Sequence, residues 1–370
     1  TSSSKRCIAF ATASARASAP PLPPGFPAGF GASFDSAVPA ASAASKAKRV
    51  NPNAEVLLFD QGEHLSYGIC EIPYYIGNDV KDASKLVSFT PQKLQQVKGI
   101  EVKTLHRVEE IKPSKKRIVV RDMYKDTVSE HQYGRLILAT GASPKRLGIS
   151  GEDGRNVFHV KSLEDGHGIK KFIEEAKPKK ALIIGGGYIG MELGTVYASL
   201  GSSVVVVEAL DAILSGADPD LARPVARRAE KLFKEIRVST KVSAMATAGK
   251  QIRVQLEVNG AKKEELYDKV LVSVGRVPNC NDLGLENTGV RQDEKGYIKV
   301  NDQQRTEDPH IYAIGDVAGG VLLAHKATKE ARIAVEVITG EMSRFEDIII
   351  PAVVFTDPEL AHVGLTEDVA

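Results

Sequence analysis

Tryptophan is missing altogether, and cysteine is scarce: Cys7, Cys70 and Cys280 are the three in 370 residues. Thiols so few and so far apart exclude a disulfide framework and a cysteine-based zinc site. They fit a reducing compartment, where a lone cysteine is either inert core or chemically employed. An excess of one charge is also lacking, since 49 basic residues face 47 acidic ones for a net charge of +2. No basic stripe interleaved with aromatics occurs, so nothing points to nucleic acid. No apolar run approaches the roughly 18–20 residues that cross a bilayer. With 42% hydrophobic and 26% charged residues, the composition is that of a globular chain long enough for two or three domains. The expectation is a cytoplasmic protein with small-molecule partners, no membrane or nucleic-acid partner, and no metal.

Residues 1–36 stand apart. They are rich in Ala, Ser, Pro and Phe, carry Lys5, Arg6 and Arg16, and hold no acid before Asp35. Pro20, Pro21, Pro23, Pro24, Pro27 and Pro39 crowd this end of the chain, a density that removes backbone donors and opposes regular helix or central strand. The segment reads as a disordered or atypical leader, either a transit segment or an altered start, and Cys7 lies within it.

From Ala40 onward, apolar strands alternate with helical stretches, the pattern of α/β architecture with parallel sheets. The clearest unit begins at Ala181-Leu182-Ile183-Ile184 and enters the turn Gly185-Gly186-Gly187-Tyr188-Ile189-Gly190. A helix to Leu200 and a strand Val204–Val207 follow, ending on Glu208. Strand, G-x-G-x-x-G turn, helix, strand and terminal acid are the order that binds a dinucleotide. Gly185 permits the tight turn, Gly187 admits the pyrophosphate, and Gly190 lets helix pack on strand. The helix N-terminus offers amides to phosphate, and Glu208 accepts from ribose hydroxyls while repelling a 2′-phosphate, which selects NADH.

The first half echoes this layout. Val56-Leu57-Leu58-Phe59 ends on Asp60, and Leu136-Ile137-Leu138-Ala139-Thr140-Gly141 parallels Val270-Leu271-Val272-Ser273-Val274-Gly275. Two tandem units imply two dinucleotides, for which FAD and NAD are the natural pair. Asp316, following Ile311–Gly315, is placed to hold a ribityl hydroxyl; its plainer reading is a helix cap.

Together these motifs resemble the pyridine nucleotide–disulfide oxidoreductase family of FAD enzymes, from about Ser42 to the end of the chain. The stretch Leu65-Ser66-Tyr67-Gly68-Ile69-Cys70-Glu71-Ile72-Pro73-Tyr74-Tyr75-Ile76-Gly77 resembles the single-cysteine active site of coenzyme A-disulfide reductases and NADH oxidases. The resemblance implies Cys70 as the redox-active residue, with Ser66 and Tyr74 beside it. Gly185–Glu192, the block Asp316–Gly320 with Leu323–Ala327, and Pro351–Gly364 are more similar to dihydrolipoamide dehydrogenase. That enzyme needs a cysteine pair, whereas Cys70 has no thiol within sixty residues. A lone thiolate works instead through a mixed disulfide or a sulfenic acid. The resemblance also places Tyr188 over the nicotinamide pocket and Glu192 near the nicotinamide. Glu71 departs from the family's usual Gly and tends to raise the Cys70 pKa. His325 reads as structural, with acid–base chemistry as its alternative; Cys280 reads as incidental.

Two parts of the pattern are not found in sequence. A glycine loop belongs near Asp35–Ser42, yet no glycine occurs between Gly31 and Gly62. The first strand and its phosphate cradle therefore read as lost, although the following helix, Ala43–Arg49, is present. Residues 346–370 read as the start of an interface domain, which in a full-length relative makes a homodimer. The expected organisation is 1–36 leader, 37–150 FAD-binding, 151–276 NAD-binding, 277–345 FAD-binding again, and 346–370 interface. The expected reaction passes electrons from NADH through FAD and Cys70 to a small disulfide or oxygen. A dihydrolipoamide dehydrogenase is the rival enzyme, and a non-catalytic NADH-binding fragment the rival of another class.

Overall fold

The structure is a computed structural model that describes residues 7–12, 39–346 and 349–370. Its first half contains the strand that the sequence reading took to be lost. β1 (Cys7–Thr12) lies between β2 (Glu55–Asp60) and β9 (Arg135–Leu138), parallel to both, with Thr12 opposite Asp60. Without it β2 and β9 would each carry a row of unpaired backbone groups inside the protein. The expectation failed because it sought the strand directly before the helix, whereas the whole of 13–38 lies between β1 and α1 (Pro39–Val50). Residues 13–36 of the predicted leader, and the glycine loop that belongs between β1 and α1, lie outside the described residues.

The alanines of α1 form its buried face: Ala40, Ala41, Ala43, Ala44 and Ala47 pack with Ala331, Ala334 and Val335 of α7 (Ala324–Thr339). Small side chains let the two helices approach closely. After β2 come β3 (Ser66–Tyr67), a single 3-10 turn over Ile69–Glu71, and α2 (Ile72–Gly77). β4 (Val87–Phe89) pairs with β3, and α3 (Pro91–Lys98), capped by the Thr90 hydroxyl, leads to β5 (Glu101–Lys103). An antiparallel sheet of β6 (His106–Lys112), β7 (Arg117–Asp122) and β8 (Thr127–Gln132) precedes β9. β10 (Ala142–Pro144) then leaves the first unit.

The second half repeats the plan. β11 (Val157–Phe158) and α4 (Leu163–Ala176), which opens on a reciprocal cap between Ser162 and Asp165, lead to β12 (Lys180–Ile184). α5 (Tyr188–Ser199), β13 (Ser203–Val207), α6 (Pro219–Leu232) and β14 (Glu235–Arg237) follow. A second antiparallel sheet, β15 (Thr240–Ala248), β16 (Gln251–Val258) and β17 (Ala261–Tyr267), precedes β18 (Lys269–Val272). β19 (Arg276–Pro278) pairs antiparallel with β10, and β20 (Ile311–Ala313) returns to the first sheet. The two parallel sheets have strand orders β20-β9-β1-β2-β5 and β11-β18-β12-β13-β14. Position by position β1 corresponds to β12 and β2 to β13, so the tandem duplication is real. Ala181, Leu182, Ile183 and Ile184 are all buried, as a strand covered on both faces requires.

The antiparallel sheets pack under their own units, with Val108, Ile111, Ile118 and Val120 in one core and Met245, Ile252, Val254 and Leu256 in another. A terminal hairpin of β21 (Ala352–Val354) and β22 (Leu360–His362) contributes Val354 and Leu360 to the core of the second unit. Among the described residues no helix is long and apolar enough to cross a membrane.

Candidate dinucleotide and thiol site

In the second unit, every element of the glycine turn has a measurable reason. A Cβ on Gly190 would fall 1.9 Å from the Gly185 carbonyl oxygen, so helix and strand pack only because no side chain is there. Gly185 has φ +104°. At Gly187 an added Cβ would meet nothing within 4 Å, the open space that a pyrophosphate needs. Gly187 caps α5 without a side-chain bond, which leaves the first-turn amides to an external acceptor. Glu208, one residue past β13, accepts from the Gly186 amide at 2.7 Å and the Leu210 amide at 2.8 Å. Its carboxylate is thereby fixed beside the turn. A recess of about 200 Å³ adjoins these groups, lined by Gly187, Tyr188, Gly275, Arg276, Val160 and Pro144. The residues present fit a nicotinamide dinucleotide.

In the first unit the corresponding acid, Asp60, is buried at the end of β2 and accepts from the Gly62 amide at 2.7 Å. Thr140 and Gly141 end the β9 segment, where Asn279 grips them. The Thr140 hydroxyl donates to the Asn279 carbonyl at 2.6 Å, the Asn279 amide side chain donates to the Thr140 carbonyl, and the Asn279 N–H to that of Gly141. Lys145 N–H donates to the Gly275 carbonyl. The exits of the two units are therefore stitched together, Thr140–Gly141 beside the strand that leaves Gly275. Gly315 N–H donates to Glu330, itself in a buried ion pair with Lys326 at 2.8 Å. Asp316, next along the chain, is paired with Lys161 at 2.9 Å. Two acids at strand ends, Asp60 and Asp316, and a short bound turn between them fit the hydroxyl-bearing part of a flavin dinucleotide.

Cys70 sits in the 3-10 turn at the junction of the units, exposed along one side. The protein crowded around its sulfur pushes the thiol pKa up, and the Glu192 carboxylate pushes it further; Lys161 opposes them. Glu71 contributes less than either, so the departure from the family's glycine matters less than the residue one unit away. The Glu71 side chain folds back over Gly68, where an added Cβ would lie 2.6 Å from the carboxylate. Glu192 is held by a bond from the Phe355 amide at 2.9 Å, and burial pushes its carboxyl up to about 7. Tyr74 presents its ring edge to Phe355, 6.4 Å between centroids. Ser66 is fully buried in β3, and its hydroxyl has no hydrogen-bond partner among the described residues. It is thus not bonded to the thiol it precedes.

The other thiols and histidines sort plainly. Cys280 is buried in the core of the first unit, its thiol pushed up to about 11 by burial. His325 donates to the Pro351 carbonyl at 2.7 Å, a structural contact. Three features were not singled out in sequence. Lys161 lies outside the motifs and Arg276 directly follows Gly275, and only the fold brings the two to Asp316. The third is a larger recess of about 510 Å³ between α1, α3 and α7, lined by Lys46, Arg49, Lys98, Lys329, Arg332 and Phe89. Phe89 is the register partner of Ser66, so this cationic recess abuts the strand that leads to Cys70. Its charge comes from three separate helices, each unremarkable alone.

Fold and site define a two-dinucleotide oxidoreductase with one thiol where its units meet. The sequence profile of the pyridine nucleotide-disulphide oxidoreductases matches residues 37–331, and the chain belongs to that family, whose cofactors are FAD and NAD(H). It is 41% identical over 237 residues to the dihydrolipoyl dehydrogenase of Haemophilus influenzae, covering 64% of this chain and 48% of that protein. With the Bacillus subtilis dihydrolipoyl dehydrogenase it shares 40% over 252 residues, 67% of this chain and 51% of the relative. The chain thus spans about half the length of these relatives. Among solved structures it resembles reduced Bacillus anthracis CoADR-RHD, with a TM-score of 0.83 at 24% identity over 98% of this chain and 62% of that one. A NAD-dependent persulfide reductase from A. fulgidus gives 0.83 at 25% identity, covering 99% and 65%. The water-forming NADH oxidase from Lactobacillus brevis, bound to NADH, gives 0.83 at 20%, covering 99% and 76%.

Proposed function

We propose that this chain is the dinucleotide-binding part of an NADH-dependent flavoprotein reductase that acts through Cys70 on a small disulfide bearing phosphate groups, of the coenzyme A-disulfide kind. The observation that carries the reading is the cationic recess at the β3–β4 pair that precedes the Cys70 turn. Arg49, Lys98 and Lys329, with Lys46 and Arg332 sharing the single carboxylate of Glu336 at 2.7 and 2.8 Å, leave a net positive charge around a space of about 510 Å³, an environment for a polyanion. An uncharged dithiol substrate has no use for it.

Glu208 and the α5 N-terminus hold NADH, with Glu208 disfavouring a 2′-phosphate. Asp60, Thr140, Gly141, Gly315 and Asp316 hold the flavin, which when bound carries two electrons from NADH to the thiol side. The Cys70 thiolate attacks the substrate disulfide, forms a mixed disulfide and releases one thiolate. The two electrons then cleave the mixed disulfide, returning the Cys70 thiolate and releasing the second thiol. NADH and a proton are consumed for each pair of thiols formed. Lys161, the cation nearest in effect to Cys70, favours the thiolate.

The test is NADH consumption by the yellow, FAD-loaded chain with coenzyme A disulfide, lipoamide or oxygen. Turnover is expected with coenzyme A disulfide, lost in Cys70→Ser, and raised about tenfold in KM by Arg49→Glu. Lipoamide turnover would establish the reading suggested by the dihydrolipoyl dehydrogenases among the relatives. Oxygen consumption without disulfide turnover would establish an oxidase, and a colourless chain that binds NADH a non-catalytic fragment.

A further inference from the structure

The terminal hairpin of β21 and β22 touches the second unit along one face of α5. At one end, the Phe355 amide donates to Glu192. At the other, His362 Nε2 lies 2.7 Å from the Tyr188 hydroxyl, the two rings edge-on at 87°. Between them Asp357 pairs with Arg228 of α6 at 2.8 Å, which pins the hairpin to the neighbouring helix. Tyr188 and Glu192 are one helical turn apart and so share a face.

Tyr188 is the first residue of α5 and lines the recess with Gly187, Gly275 and Arg276. A Cβ at Gly187 or Gly275 would meet no residue beyond its chain neighbours within 4 Å, so the recess is open beside both. An unanchored tyrosine here has open space to sweep into, and that space is the recess itself. The phenol end instead reaches His362, and lies 3.8 Å from where a Cβ added to Gly216 would be.

We propose that His362 is a positioning residue for the nicotinamide end of the dinucleotide: by bonding the Tyr188 hydroxyl it keeps the ring on the wall of the recess. The inference rests on the reading of this recess as the nicotinamide site. The hairpin residue and the glycine turn are then one binding device, assembled from positions 174 residues apart in the chain.

Titration calorimetry of the 370-residue chain with NADH and with ADP-ribose, which lacks the nicotinamide, tests it without turnover. His362→Phe and Tyr188→Phe are each expected to weaken NADH about three- to tenfold, the range of one hydrogen bond. ADP-ribose affinity should stay unchanged, the double variant should be no weaker than either single one, and His362→Gln should restore most of the loss. Unchanged NADH affinity in both single variants overturns the inference. So does tighter binding, or an equal loss for ADP-ribose, which would mark a general structural defect. Should His362→Phe fail to fold, Tyr188→Phe decides alone on the same readings. A wild-type chain that binds ADP-ribose but not NADH overturns the nicotinamide reading and the inference together, and one that binds neither overturns the dinucleotide reading as well.

Discussion

The two units share a strand order, an accompanying three-stranded antiparallel sheet and an acid at the end of the second strand, yet they connect their first strand to their first helix differently. In the second unit, Gly185–Gly187 take the chain directly from β12 into α5, and the turn itself is the proposed phosphate site. In the first, residues 13–38 lie between β1 and α1. The comparison teaches that the parallel sheet and the phosphate turn answer to different constraints. The sheet is set by strands that need partners on both sides; the turn is set by a few positions where a Cβ cannot be tolerated.

The largest expected effect comes from breaking the first unit at its first strand. Deleting residues 1–12 removes the strand bonded to both β2 and β9, exposing two rows of backbone groups. The loss should match the whole stability of a domain, about 5–15 kcal/mol. The first unit should then unfold at ambient temperature while the second survives, which limited proteolysis followed by mass spectrometry reads directly. A truncated chain that keeps both units protease-resistant would show that β1 is not needed. Next in size is Gly190→Val. Its Cβ would lie 1.9 Å from the Gly185 carbonyl, forcing helix and strand apart at a cost of roughly 3 kcal/mol or more. NADH binding should vanish and the second unit should melt first, leaving the first unit's protease resistance unchanged. Equal damage to both units would mean that the two fold as one.

What could be read in advance follows the same division. The second unit was legible almost to the residue, because its signals are local: the glycine turn, the apolar strands and Glu208 form one unbroken stretch from Ala181 onward. The strand-and-acid part of the first unit was equally legible at Val56–Asp60 and Leu136–Gly141. β1 was not, because Cys-Ile-Ala-Phe-Ala-Thr is short and only modestly apolar, and its identity as a strand depends on β2 and β9 rather than on itself. Cys70 was singled out from its neighbours in sequence. The long-range contacts of the two sites were found only in three dimensions: Lys161 on Asp316 and Phe355 on Glu192 near Cys70, and His362 on Tyr188 at the glycine turn. The partners in these contacts stand 155, 163 and 174 positions apart in the chain, separations that no local pattern encodes.

The smallest predicted effect sharpens the comparison at the place where the units meet, since Cys70 belongs to the first and Glu192 to the second. Burial is the main reason that the Cys70 thiol pKa is raised, and Glu192 is the next. Glu192 is itself pushed up to about 7 by burial, so its charge appears only as the pH rises through neutrality. Above that point the carboxylate opposes the thiolate; below it the group is neutral and the opposition is gone. Glu192→Gln removes the charge at every pH, so the Cys70 pKa should fall and its alkylation profile should move to lower pH. Iodoacetamide labelling of Cys70, quantified on its own peptide, should run about two- to fivefold faster in the variant at pH 8. At pH 6, where Glu192 is protonated in the parent chain, the two rates should converge. A rate ratio that is the same at both pH values would show that Glu192 acts on the thiol through packing and not through charge.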